Sequence, residues 1–210
     1  MDKNILNLFS EVEIVKKVQT KLPKLFQIAE LESQRAGKIG MEVGSIRERI
    51  IVSLLIYKFG EENVETAIPI TEPEVDVRLF GKPISIKTKS GSGLSGIKLI
   101  WTVDAQNAKE FLNKYIPSCD MIFVQINWNS KGYIYYFPVK VQLEVFESLG
   151  RDNYIKLPSL GTNPRGVEIS SKALQTLVKQ DKSFRIEIDW QKEDLKFNAF
   201  KRWVDLWAQD

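Results

Sequence analysis

The chain has no histidine and a single cysteine. Imidazole is the usual general base near neutral pH and the commonest ligand for zinc, copper and iron. Its absence excludes serine–histidine triads, HExxH metalloproteases and histidine-dependent nucleases. One thiol, Cys119, excludes an internal disulfide and any multi-cysteine zinc site, and fits a reducing, cytoplasmic compartment. No apolar run approaches ~18 residues, so no membrane span is expected, and the opening MDKNILNLFSEVEIVKK lacks the shape of a secretory signal. No GxxxxGK[ST] pattern occurs, so no nucleotide cofactor is expected. What remains is carboxylate and lysine chemistry with a hard cation such as magnesium.

Of 210 residues, 43% are apolar, enough for one packed domain, and a net charge of +3 is only weakly suggestive of a polyanionic partner. The pattern predicts one or two amphipathic helices over 3–33, broken or restarted at Pro23. A glycine-bearing turn follows over 36–44. Ser45-Ile46-Arg47-Glu48 has the form of a capping box, opening a helix from Ile46 to Phe59 that Gly60 ends. From Ile50 to Tyr57 that helix is apolar almost all round, as a central buried helix would be. Strands are expected at Val64–Ile70, Glu74–Phe80, Pro83–Lys89, near Ile97–Thr102, at Asp120–Trp128, Tyr133–Val139 and Phe184–Asp189. Helices are expected at Asp104–Tyr115, Val139–Leu149, Ser170–Gln180 and Lys192–Ala208. This order predicts an α/β (α+β) fold with a central mixed sheet flanked by helices. We expect a single domain over 1–210: an N-terminal helical region with a DNA-contacting turn (1–44), a catalytic core (45–140) and a C-terminal elaboration (141–210).

The informative segment is residues 75–89, VDVRLFGKPISIKTK. Strand side chains alternate between faces, so Val75, Val77, Ile84 and Ile86 share one face, and Asp76, Ser85, Lys87 and Lys89 the other. With Gly81-Lys82 as a two-residue type II′ turn, Phe80 pairs with Pro83 and Asp76 falls opposite Lys87, their Cβ atoms roughly 4.5–5.5 Å apart. A carboxylate beside an ammonium on a polar sheet face suits phosphodiester hydrolysis. Asp76 would hold magnesium at the scissile phosphate, Lys87 would orient the attacking water, and the Ile86 backbone carbonyl could be a further ligand. An amphipathic hairpin with a surface salt bridge would present the same pair. Pro73-Glu74 just before Val75-Asp76, the upstream helix and the absence of histidine favour the nuclease reading.

The usual motif has an acidic residue two positions before the lysine, where this chain has Ser85. A second acidic ligand must come from elsewhere, and Glu48 is the best candidate. Its place three residues after Ser45 equally suits a helix cap. Glu74 is the reserve, and Glu42 ranks below it.

Glu48 on a helix, Asp76 and Lys87 on successive strands, serine in the acidic slot and Met41 seven residues before Glu48 together carry a resemblance. Over about residues 41–98 the chain resembles the ThaI restriction endonucleases, a family of the PD-(D/E)xK superfamily. The resemblance implies a type II restriction enzyme acting as a homodimer on double-stranded DNA, cutting CGCG to blunt ends. It also implies Mg2+ as cofactor, with Mn2+ substituting and Ca2+ binding without supporting cleavage. Met41 would insert between stacked bases, a step cheapest at pyrimidine–purine steps.

Other DNA contacts are expected from cations near these residues. Arg35, Lys38, Arg47 and Arg49 gather around the Met41 turn and the Glu48 helix. Lys89, Ser90 and Lys98 flank the glycine–serine loop 90–96, whose amides could approach a phosphate. Trp101 and Trp128 are expected in the core. Phe200, Trp203 and Trp207 form a one-turn stripe suited to core or dimer interface. A repair or junction-resolving nuclease of the same fold, and a DNA-binding module without cleavage, are the alternatives. Ser85 in the acidic slot favours the latter.

Overall fold

The computed structural model describes residues 4–35, 37–40, 42–72, 74–102, 104–158 and 166–209. Met41, on which the base-wedge expectation falls, and Pro73 lie outside the described residues. In chain order the elements are α1 (Asn7–Ser10), α2 (Val12–Glu32), β1 (Gln34–Arg35), β2 (Lys38–Ile39), α3 (Val43–Phe59), β3 (Val64–Glu65), β4 (Val77–Leu79), β5 (Lys82–Ser90) and β6 (Lys98–Ile100). There follow α4 (Ala105–Lys114), β7 (Asp120–Ile126), β8 (Ser130–Phe137), α5 (Val139–Leu149), α6 (Arg151–Tyr154), β9 (Ile155–Lys156), β10 (Val167–Ile169), α7 (Ser171–Leu177), β11 (Phe184–Trp190) and α8 (Lys201–Trp207).

Six strands form the central sheet in the order β11-β8-β7-β5-β4-β3. The β5–β7 pair is parallel and its neighbours are antiparallel, so the sheet is mixed, as expected. Alternation along β7 feeds two cores. Ile122, Val124 and Ile126 pack with Val18, Leu22 and Phe26 of α2 and Ile51 and Leu55 of α3. Met121 and Phe123 point the other way, into a core with Val141 and Val145 of α5 and Leu174 of α7. A separate sheet, β6-β10-β9, lies on that second side.

Several expectations are corrected. Pro23 is buried inside α2 and does not break it. The apolar stripe of Val18, Leu22 and Phe26 binds the helix to the core on both sides of the proline, and this packing outweighs one missing hydrogen bond. The strand expected over Val64–Ile70 stops at Glu65, because its partner β4 spans only Val77–Leu79 and offers almost no further backbone to pair with. Helix α3 is not buried all round: Ile51 and Leu55 face the core while Tyr57 is exposed. The helix expected over Lys192–Ala208 forms only at Lys201–Trp207. The Gln27 side chain donates to the Glu193 carbonyl (2.7 Å) and accepts from its N–H (2.9 Å), taking the groups a helix would need. Among the described residues no helix is long and apolar enough to cross a membrane.

Candidate active site

The hairpin that carries the acidic–basic pair closes one residue earlier than expected. Leu79 pairs with Lys82, Arg78 with Pro83 and Val77 with Ile84, which makes Phe80-Gly81 the turn. Both turn residues have positive φ (52° and 75°), the requirement of a type I′ turn. A left-handed Phe80 costs about 1–2 kcal/mol. Edge-on packing against Phe59 (5.4 Å between centroids) and a 2.9 Å hydrogen bond from its N–H to the Asn63 carbonyl offset that cost. The pairing therefore slips by two residues, an even number, and the facing pattern is preserved. Ser85 lies beside Asp76, and Lys87 is its diagonal neighbour.

Asp76 Oδ2 gathers three donors. The Ile86 N–H donates at 2.5 Å, Ser85 Oγ at 3.3 Å and Lys87 Nζ at 3.4 Å. Strand β4 begins at Val77, so Asp76 stands just before its first residue, half-buried.

Glu48 reaches the same place from α3. The helix begins at Val43, and no side chain caps it. Ser45 is thus already inside the first turn, and the expected capping box does not form. Glu48 lies one turn further on, with its carboxyl directed to the pair. Burial, together with the charge on Asp76, pushes that carboxyl up to about 7, and only Lys87 acts the other way. All three side chains line one open cleft of about 710 Å3.

The opposite wall of the cleft comes from β6: Lys98, Leu99 and Ile100, ending in Trp101. Gly166 fixes this wall. At its φ of 108° an added Cβ would meet the Ile100 carbonyl oxygen at 2.1 Å, so only glycine lets the chain entering β10 approach so closely. Trp101 was expected in the core but is 72% exposed at the cleft's rim. Periodicity could not reveal this, because the β6 segment reads as a short apolar strand whichever way its last residue turns.

The other candidates are dispersed. Glu74 accepts from Ser118 Oγ (2.9 Å) and lines a separate, nearly filled pocket with Lys87, Tyr115 and Cys119. Burial raises its carboxyl. Glu42 is exposed and pairs with Arg35 at 3.5 Å. Lys38 is exposed on the β1–β2 ribbon, and Arg49 on the surface of α3. Ser90 is exposed at the end of β5. Lys98 pairs with Glu168 at 2.5 Å and lies 5.9 Å from the Trp101 ring centre. Lys89 turns into its own loop, donating to the Gly93 carbonyl (2.5 Å) and Ser95 Oγ (3.4 Å). Arg47 is a correction. It is buried, and its guanidinium donates to Glu30 Oε1 at 2.5 Å, where the Trp128 indole also donates at 2.7 Å. An arginine on α3's inner face cannot reach DNA.

Two carboxylates sharing a cleft, one of them held against its usual charge, suit a hard divalent cation, which would relieve their repulsion through oxygen donors. Among the described residues no group of three or more histidine, cysteine or acidic side chains is poised for a metal. Two carboxylates would therefore need backbone or substrate oxygens beside them.

The mixed sheet flanked by helices, with this cleft beside β4 and β5, matches the fold of a restriction endonuclease. A solved structure described as a restriction endonuclease in complex with substrate DNA has a TM-score of 0.91 to this chain and is 60% identical, covering 96% of this chain and 97% of that one. A family model described as restriction endonuclease ThaI matches residues 8–209. The chain belongs to that family, and is a site-specific DNA nuclease of the type II restriction class. Among curated proteins none matches.

Proposed function

We propose that the chain cleaves duplex DNA as a magnesium-dependent homodimer, with Glu48, Asp76 and Lys87 as its catalytic residues. The convergence of these three side chains in one cleft carries the reading. Asp76 and Glu48 would hold Mg2+, which supplies charge neutralisation at the scissile phosphate and acidifies water. The Ile86 N–H points to Asp76, and the N–H and C=O of one strand residue share an edge. The Ile86 carbonyl thus turns to the same edge, past the end of β4, where it could complete the oxygen set. Lys87 holds Asp76 in place and offers its ammonium to the attacking water and to charge gathering on the phosphate. Ser85 does not argue against cleavage, because Glu48 supplies the second carboxylate from another element.

The substrate is double-stranded DNA, a reading supported by family membership and by the similar structure's complex with substrate DNA; cutting at CGCG to blunt ends rests on the resemblance carried by Glu48, Asp76, Lys87 and Met41. Mn2+ would substitute for Mg2+, and Ca2+ would support binding without cutting. Two-fold recognition of a palindrome calls for two copies of the chain. Incubating the protein with a mixed-sequence plasmid and magnesium, then mapping the ends, tests the whole reading. Discrete fragments ending in the middle of CGCG are expected, and an uncut plasmid would refute it.

A further inference from the structure

The C-terminal arm carries a cluster of apolar side chains without cover among the described residues. Phe200, Trp203 and Trp207 are 74%, 52% and 90% exposed, with Phe197, Val204 and Leu206 exposed beside them. Single exposed apolar residues need no explanation, but a contiguous aromatic cluster marks a contact surface. The two cations of α8 are already paired, Lys201 with Asp205 at 2.8 Å and Arg202 with Glu32 at 3.4 Å. The helix therefore offers aromatic surface with no cation left over for phosphate, which fits a protein partner better than nucleic acid.

A second uncovered surface lies on the outer side of α2 and α3. Leu22, Leu25, Ile50, Leu54 and Tyr57 line an apolar groove of about 420 Å3 between the two helices. A groove between packed helices is the shape that accepts a third.

We infer that the partner is a second copy of this chain, with the arm of each copy seated in the α2–α3 groove of the other. This rests on the reading of the protein as a nuclease that must engage both strands of one duplex. Arm and groove are placed for exchange. Arg202 ties the arm to Glu32, the last residue of α2, while the groove centres near Leu22. That separation along α2 is roughly 15 Å, and a two-fold axis between them puts each arm over the other's groove. The tie also sets the arm at the cleft's end of the molecule. Glu30 and Arg47 pin the end of α2 to the start of α3, and Glu48 follows Arg47. A dimer joined there sets two clefts against one duplex. The area is sufficient. At roughly 150–250 Å2 per fully buried aromatic, the four aromatics of each arm present about 500 Å2. Two arms on two grooves then bury on the order of 2,000 Å2, within the range of specific interfaces.

The test is sedimentation of the full-length protein over a range of concentrations, with plasmid cleavage in parallel. The unchanged chain sediments as a dimer. Trp203→Ser/Trp207→Ser, and separately Leu25→Glu in the groove, raise the dissociation constant roughly a hundredfold or more, as loss of aromatic anchors does. Both sets of substitutions lie at exposed positions, so circular dichroism and monomer melting stay as in the parent. Mixing the two variants restores association in part, because one arm–groove contact is intact in the mixed dimer. A parent chain that is monomeric with and without DNA, or a dimer indifferent to both variants, overturns the inference. An arm-dependent dimer that cuts no DNA leaves the interface standing and refutes the nuclease reading instead.

Discussion

Ser85, and not Lys87, is the residue that β5 sets beside Asp76, while Lys87 reaches the same carboxylate oxygen from two residues further along. The position where related motifs carry an acid is thus filled by a hydroxyl that donates to Asp76. Lys87→Ala and Asp76→Ala are expected to lower single-turnover cleavage by 10²–10³-fold or more, with DNA binding largely kept. Ser85→Ala, which removes one long hydrogen bond of three, should cost far less. Equal losses at Ser85 and Lys87 would contradict these roles.

Glu48 separates two expectations that its sequence left even. A capping glutamate would contribute to stability, and its replacement would lower stability by ~1 kcal/mol. Here α3 begins before Ser45 and the glutamate faces the cleft. Glu48→Gln is expected to abolish cleavage without lowering the melting temperature. A stable protein that still cuts would remove Glu48 from the site.

The same residue gives a dependence on pH. Its carboxyl is raised from the ordinary value to about 7, chiefly by burial and then by Asp76. In the metal-free folded state it holds a proton that the unfolded chain releases. Its contribution to stability is therefore fully present below the unfolded value and is lost as pH rises toward about 7. Melting in chelator from about pH 5 to pH 8 should show the parent losing ground against Glu48→Gln. Magnesium favours the ionised carboxyl, so its affinity should rise over the same interval and the parent's deficit should shrink. A difference that does not vary with pH would contradict the burial of this carboxyl in the cleft.

The contrast between Asp76 and Arg47 shows which relationships are legible in the sequence alone. Alternation along two strands fixed which side chains share a face, and a register slip of two could not disturb it. The slip itself was hidden, because it depends on Phe59 and Asn63 holding Phe80 at positive φ. Local signals with local causes were readable: Gly60 ending α3, and helices opening at Asp104 and Ser170, whose side chains cap α4 and α7 in the structure. Which face of α3 an arginine takes depends on Glu30, seventeen residues away, so Arg47 looked like its exposed neighbour Arg49.

Arg47 accordingly belongs to stability. Removing one partner of a buried pair leaves the other charge uncompensated and typically costs 3–5 kcal/mol. Arg47→Ala should show that loss in urea unfolding, while Arg49→Ala, on the exposed side, should not. Weakened DNA binding by a fully stable Arg47→Ala protein would reverse the assignment.

Trp101 makes the last case. An indole left 72% exposed is uncovered apolar surface, and this one ends the wall facing Glu48 and Asp76. Gly166 holds the backbone beneath it too closely for any other residue, so the ring stands on a fixed edge at the mouth of the cleft. Lys98 beside the ring is tied to Glu168, which keeps a cation near without freeing it to swing away. If DNA enters the cleft past this edge, an aromatic face there can pack on a sugar or base. Trp101→Ala should weaken DNA binding by roughly 1–3 kcal/mol, the range for aromatic stacking, and Trp101→Phe should retain part of it. The maximal single-turnover rate on saturating DNA should change little, because the ring lies outside the Asp76–Lys87 pair. Fluorescence anisotropy with labelled duplex measures the first quantity and quenched-flow cleavage the second. Unchanged affinity in Trp101→Ala would mean that the duplex does not touch the β6 wall.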